Sequence, residues 1–178
     1  MTTHITCSVF IATSVDGFIA REDDSLDFLP PGGGEEHGYT AFISSVDAVV
    51  MGRRTFEKVL TFDKWPFTKP VVVLSSRPPR AKLPNGAVIK FMSGEPRAVV
   101  ARLAERGMRH LYVDGGVTIQ RFLEAGLIGR MTITRVPVLI GRGIPLFGQL
   151  SRDIRLEHVA TRTYPSGLVT SEYLVARG

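Results

Sequence analysis

The chain has 178 residues, a formal net charge of +5 and a hydrophobic content of 44%. This is enough for one ordinary domain with a full core, here spanning residues 1–178, and too apolar for a disordered chain. No apolar run approaches the roughly 20 residues that span a bilayer, and the scattered basic residues form no nucleic-acid-binding motif. The lone Cys7 excludes an internal disulfide and a cysteine-built zinc site.

The N-terminus, Met1-Thr2-Thr3-His4, has no basic segment ahead of its apolar run, so a cytoplasmic location is expected over secretion. Ile5–Ser14 alternates polar and apolar residues and predicts the first strand, with Cys7 inside it as a small apolar residue. Arg21–Glu35, with Pro30-Pro31-Gly32-Gly33-Gly34, is too polar and too rich in glycine and proline for an element and predicts a functional loop. Glu36–Ser45 places Tyr39, Phe42 and Ile43 on one helical face. Ala48–Met51 predicts a buried strand and Thr55–Leu60 a short helix. Pro70–Leu74, Ala87–Phe91 and His110–Val113 predict further strands. Pro96–Arg106 and Val117–Ala125 predict helices, stopped by Gly107 and Gly126. Met131–Leu139, Leu156–Tyr164 and Leu168–Val175 complete the strands. The last two meet across Pro165-Ser166-Gly167, which predicts an antiparallel hairpin. Alternating strands and helices over the first part imply βα units and a mostly parallel sheet in a mixed α/β fold.

Three polar clusters follow predicted strand ends: Gly52-Arg53-Arg54-Thr55, Ser75-Ser76-Arg77 and Asp114-Gly115-Gly116. In open α/β sheets, ligands bind beyond the carboxyl ends of the strands. Glycine lets the backbone turn tightly, uncapped helical N–H groups attract an anion, and arginine forms a fork that matches phosphate. Three such clusters on one edge predict a ligand with several phosphates, and a serine pair followed by arginine suits the 2′-phosphate of NADPH. The G-x-G-x-x-G fingerprint, the P-loop motif and the G-x-S-x-G elbow are all missing, and His4, His37, His110 and His158 lack metal-ligand spacing.

Set in order, Val15-Asp16-Gly17-Phe18-Ile19-Ala20, Val50-Met51-Gly52-Arg53-Arg54-Thr55-Phe56, Leu74-Ser75-Ser76-Arg77-Pro78 and Val113-Asp114-Gly115-Gly116 resemble the dihydrofolate reductase-like superfamily. With Gly141-Arg142-Gly143-Ile144-Pro145-Leu146-Phe147, the chain is most similar to the reductase domain of riboflavin biosynthesis and its stand-alone bacterial relatives. The resemblance implies a three-layer fold, NADPH as cofactor, and hydride transfer to a pterin- or pyrimidine-type heterocycle. It also implies a homodimer, with true dihydrofolate reduction as the alternative activity. A non-catalytic NADP-binding or dimerisation module on the same fold is the reading from another class.

Carried onto this chain, the resemblance implies that Gly52, Arg53, Arg54 and Thr55 hold the pyrophosphate. Ser75, Ser76 and Arg77 would hold the adenosine ribose and its 2′-phosphate, and Gly115, Gly116, Val117 and Thr118 would complete the pyrophosphate site. Ala12 and Ile19 would line the nicotinamide, under a loop acting as a flap. For the proton donor, Glu36 lies near the family's carboxylate, with Asp27 and Glu35 as rivals; Glu36 also reads as an acid at a helix start. Thr134 lies on the strand that would face the substrate but also reads as an ordinary strand threonine, and Asp16 reads as a turn residue. Arg21, Arg135 and Arg142 are candidates for a substrate phosphate.

Overall fold

The computed structural model describes residues 5–30, 35–77 and 81–176. The Pro31–Gly34 part of the expected loop, Pro78 of the third motif and His4 lie outside the described residues. The order is β1 Thr6–Ser14, β2 Phe18–Ala20, α1 Tyr39–Ser45, β3 Ala48–Gly52, α2 Arg53–Val59, β4 Val71–Leu74, β5 Ile89–Met92, α3 Pro96–Glu105, β6 His110–Asp114, α4 Gly116–Glu124, β7 Ile128–Val136, β8 Ile144–Pro145, β9 Leu156–Thr163 and β10 Val169–Val175.

An eight-stranded sheet runs β5-β4-β3-β6-β1-β7-β10-β9. Every neighbouring pair from β5 to β7 is parallel, and β10 is antiparallel to both β7 and β9. The fold is therefore the expected dihydrofolate reductase-like three-layer α/β architecture, with an antiparallel C-terminal hairpin. That hairpin turns where Tyr164 and Leu168 pair, with Gly167 at a positive φ of 84°.

Side chains alternate across the sheet, and this alternation divides the core in two. Val50, Val72, Leu111, Val113, Cys7 and Val9 pack on one face against Val99 and Leu103 of α3 and Ile119 and Phe122 of α4. Val49, Met51, Val71, Val73 and Tyr112 pack on the other against Phe56 of α2, with Phe42 and Ile43 of α1 at the margin. The central strands are buried on both faces and so read as continuous Val/Leu runs, as parallel strands do. Burial pushes the Cys7 thiol up to about 12, so it behaves as a small apolar residue and not as a nucleophile.

Several boundaries differ from expectation. The first helix begins at Tyr39, not Glu36: Gly38 adopts φ 87°, and the Glu36 carboxylate accepts from the Thr40 N–H ahead of the helical run. The seventh strand begins at Ile128 and ends at Val136, because Pro137 cannot donate to a ladder. The short pair β2–β8 was too brief to read from pattern; it ties Phe18 to Pro145 and Ala20 to Ile144. Asp16 is more than a turn residue. Its carboxylate accepts from the N–H groups of Ile140 and Gly141 at 3.3 and 2.8 Å, fastening the β1–β2 turn to the segment before β8.

Candidate active site

A cleft of about 650 Å³ opens at the carboxyl ends of β3 and β6. Two strand-to-helix turns form its floor, and they interlock. Gly115, at φ 93°, packs against Thr55 of α2 so closely that a Cβ there would overlap the threonine hydroxyl. Reciprocally, a Cβ on Gly52 would lie 3.0 Å from Oγ1 of Thr118 on α4. The glycines are thus small because each accepts the other turn's threonine. Gly116 has its own reason: a Cβ would stand 3.0 Å from the Pro145 carbonyl and 3.1 Å from Ile19, so β2 and β8 close over the start of α4.

Both helix starts lack a side-chain cap and an acid in the first turn; what differs is the side chains around them. At α4 the first helical bond is donated by Ile119 to the Gly115 carbonyl at 2.8 Å. The N–H groups of Gly116, Val117 and Thr118 therefore precede the helical ladder; no side chain caps them, and the first turn holds no acid. They open on the cleft beside Arg121, itself paired with Glu95 at 3.3 Å. Uncapped backbone dipoles of this kind are suited to an anion. At α2, Nε of Arg53 donates to Glu57 at 2.7 Å, while Nε of Arg54 donates to both carboxylate oxygens of Asp24 at 2.9 and 3.0 Å. Nη2 of Arg54 also donates to the Glu22 carbonyl. Arg54 therefore holds the loop after β2, whose chain bends through a left-handed Asp24 at φ 64° and whose Leu26 and Leu29 line the cleft.

Also lining the cleft is Asp114, the last residue of β6, which pairs in register with Met51 of β3. Burial pushes its carboxyl up to about 6, against the opposing bond that Oδ1 accepts from the Gly115 N–H at 2.9 Å. Asp114 also bears on its aromatic neighbours. Burial first, and the Asp114 charge second, raise Tyr39 to about 12 and hold Tyr112 well above the ordinary tyrosine range. The Tyr112 hydroxyl donates to the Phe10 carbonyl at 2.9 Å.

The cleft brings together Ala12, Ile19, Gly52, Arg53, Arg54, Thr55, Gly115, Gly116, Val117 and Thr118 of the expected cofactor residues. Ser75, Ser76 and Arg77 stand beyond Leu74, outside its lining, and the Ser75 hydroxyl closes a local turn on Arg77. The three expected catalytic residues stand outside it too. Glu36 is exposed and spends both carboxylate oxygens on Thr40, which holds its carboxyl below the usual range. Asp27 is exposed and paired with Arg21, which likewise lowers its carboxyl. Thr134 is buried and shares a 2.8 Å hydrogen bond with Thr170. Glu35 bonds Ser166. Asp114 is the residue that sequence reasoning passed over as an acid. The signal was there, in a carboxylate ending a Leu-Tyr-Val strand immediately before two glycines.

The family described as the RibD C-terminal domain matches residues 5–170. The uncharacterized protein YwjB of Bacillus subtilis is 34% identical over 161 residues, covering 88% of this chain and 90% of its own length. A crystal structure from Shewanella sp. PV-4, described as a candidate riboflavin biosynthesis protein, is 38% identical with a TM-score of 0.88, covering 97% of this chain and all of that one. Dihydrofolate reductase from Enterococcus faecalis, solved with NADP(H), shares the fold at a TM-score of 0.65 and 17% identity, covering 97% of each chain.

Proposed function

Because the chain belongs to the RibD C-terminal domain family, within the dihydrofolate reductase-like superfamily, we propose that it is an NADPH-dependent reductase of a pterin- or pyrimidine-type heterocycle. The observation that carries this reading is one cleft holding both an uncapped helix N-terminus and a carboxyl raised to about 6. The donor set fits a dinucleotide. Backbone N–H groups of Gly116, Val117 and Thr118, with the hydroxyls of Thr55 and Thr118, suit a pyrophosphate. Ala12 and Ile19 supply an apolar wall for the nicotinamide. Ser75, Ser76 and Arg77, at the rim past β4, are the residues proposed for the 2′-phosphate.

When bound, NADPH supplies the hydride. The protein positions the acceptor ring and supplies a proton. With a pKa near neutrality, Asp114 holds its proton below pH about 6 and releases it on demand, as a general acid should. Tyr39 and Tyr112 line the cleft with Asp114 and remain neutral themselves. Leu26 and Leu29, on the loop that Arg54 holds, cover the site from above.

The test has two stages. NADPH is titrated against the chain by fluorescence, and dihydrofolate and aminopyrimidine substrates are then screened for loss of NADPH absorbance. Binding followed by turnover supports the proposal. Binding without turnover on any heterocycle leaves a non-catalytic NADP-binding module, and no binding contradicts both.

A further inference from the structure

We propose that the chain carries a second ligand site, on the side of α1 away from the cleft, and that it binds a small aromatic carboxylate. A cavity of about 280 Å³ lies there, between α1 and the strands β7, β10 and β9. The helix turns Ala41, Phe42 and Ser45 toward it and Tyr39 toward the cleft, so α1 stands between the two. The floor is one row of the sheet, Phe10, Thr132, Glu172 and Ala160, in register across four strands. The strand β7 alternates here: Met131 and Ile133 enter the core, whereas Arg130 and Thr132 line the cavity. Packing needs one face of this strand apolar and leaves the other free for recognition.

The lining combines an aromatic wall with an uncommitted cation. Phe42 stacks on Phe10 with 5.0 Å between ring centroids, a surface suited to a planar ligand. In the next row on the same face Arg162 pairs across the ladder with Thr170, and Tyr164 follows it, its ring meeting His37 edge-on at 4.6 Å. Arg130 is bound to Glu172 at 2.9 Å, whereas among the described residues no carboxylate lies within ion-pair distance of Arg162. Ser8 and His110 are bonded to each other at 2.8 Å. Nδ1 of His37 is shut from solvent and, among the described residues, has no hydrogen-bond partner. An unpaired buried nitrogen is costly, and a polar ligand can supply its partner. A guanidinium fork free of other charges matches a carboxylate. Glu172 on the floor repels further negative charge, so one carboxylate on an otherwise uncharged ring fits best. The volume lies at the small end for ligand sites and limits the occupant to one or two rings.

Benzoate, phenylacetate and indoleacetate are titrated into the full chain by calorimetry and followed by amide chemical shifts. At least one acid should bind saturably, about tenfold tighter than its neutral carboxamide, the share of a charged hydrogen bond. The shifts should centre on Ala41, Thr132 and Ala160 and spare Gly52 and Gly116 of the cleft. Arg162→Gln should cut the preference for the acid to below about threefold. Glu172→Gln should tighten the acid about threefold by removing a like charge. Failure of all three acids to bind, shifts centred on the cleft, an undiminished preference in Arg162→Gln or no gain in Glu172→Gln overturns the inference. Sedimentation tests the rival occupant, a second copy of the chain: a dimer that Arg162→Gln dissociates, with no acid bound by the wild type, also overturns it. The outcome is independent of the reductase reading, since neither variant alters the lining of the cleft.

Discussion

At the turn after β6 three helical N–H groups of α4 face the cleft uncapped, while at the turn after β3 both arginines of α2 are already bound to carboxylates. The two turns share a plan: a parallel strand, a glycine, a threonine packed over the opposite glycine. Their electrostatics differ. The backbone dipoles of α4 are available to a ligand without rearrangement. The arginines of α2 already have partners within the chain, Glu57 on the same helix for Arg53 and Asp24 of the loop after β2 for Arg54. The two turns are equally uncapped and differ in whether the neighbouring arginines already have carboxylate partners.

The sharpest way to break this comparison is at the glycine of the α4 turn, against which Thr55 of α2 packs. Gly115→Ala imposes a side chain at φ 93° and drives its Cβ into Thr55, so it should cost about 3 kcal/mol of stability in urea unfolding and abolish NADPH binding. Adding Thr55→Ala should return part of the stability, because the overlap is removed while the φ penalty remains. Full additivity would contradict the interlock.

Asp114→Asn should lower kcat by about 100-fold while leaving NADPH affinity nearly intact. In the wild type, log kcat should decline as pH rises through about 6, and that decline should vanish in the variant. Stability should show the same group. An unfolded aspartate with the ordinary value of 3.8 releases its proton before the folded one at about 6, so the folded state holds more protons between them. Stability is therefore unaffected below pH about 4, falls as pH rises to about 6, and levels off above, a loss of about 3 kcal/mol that Asp114→Asn should flatten.

The smallest effects should come from α2. Arg54→Ala should raise KM several-fold by freeing the loop, with loss of protection in hydrogen exchange near Asp24. Arg53→Ala removes an exposed helical pair and should change stability by no more than about 0.5 kcal/mol and NADPH affinity by less than about threefold. A larger loss of NADPH on Arg53→Ala than on altering the α4 turn would reverse the ranking of the two turns.

The parallel core was legible in the sequence because Val49-Val50-Met51, Val71-Val72-Val73 and Leu111-Tyr112-Val113 are runs that only a strand buried on both faces can use. The C-terminal hairpin was legible from its turn. The pair β2–β8 was not, since two or three residues carry no period and their partners are remote in the chain. At the site, the glycines were readable as turns, but their threonine partners were not, because Thr55–Gly115 and Gly52–Thr118 contacts arise only when β3 and β6 lie side by side. Acid assignment depends even more on tertiary context. Glu36, Asp27 and Asp114 have the same chemistry in sequence, and only burial separates the one with a raised carboxyl from the two held low by surface partners.

The most direct test is the structure of the chain with NADPH bound. The account predicts the pyrophosphate within hydrogen-bond distance of the Gly116, Val117 and Thr118 N–H groups, with the nicotinamide against Ala12 and opening toward Asp114. A pyrophosphate held instead by Arg53 and Arg54, or a nicotinamide remote from Asp114, would contradict it.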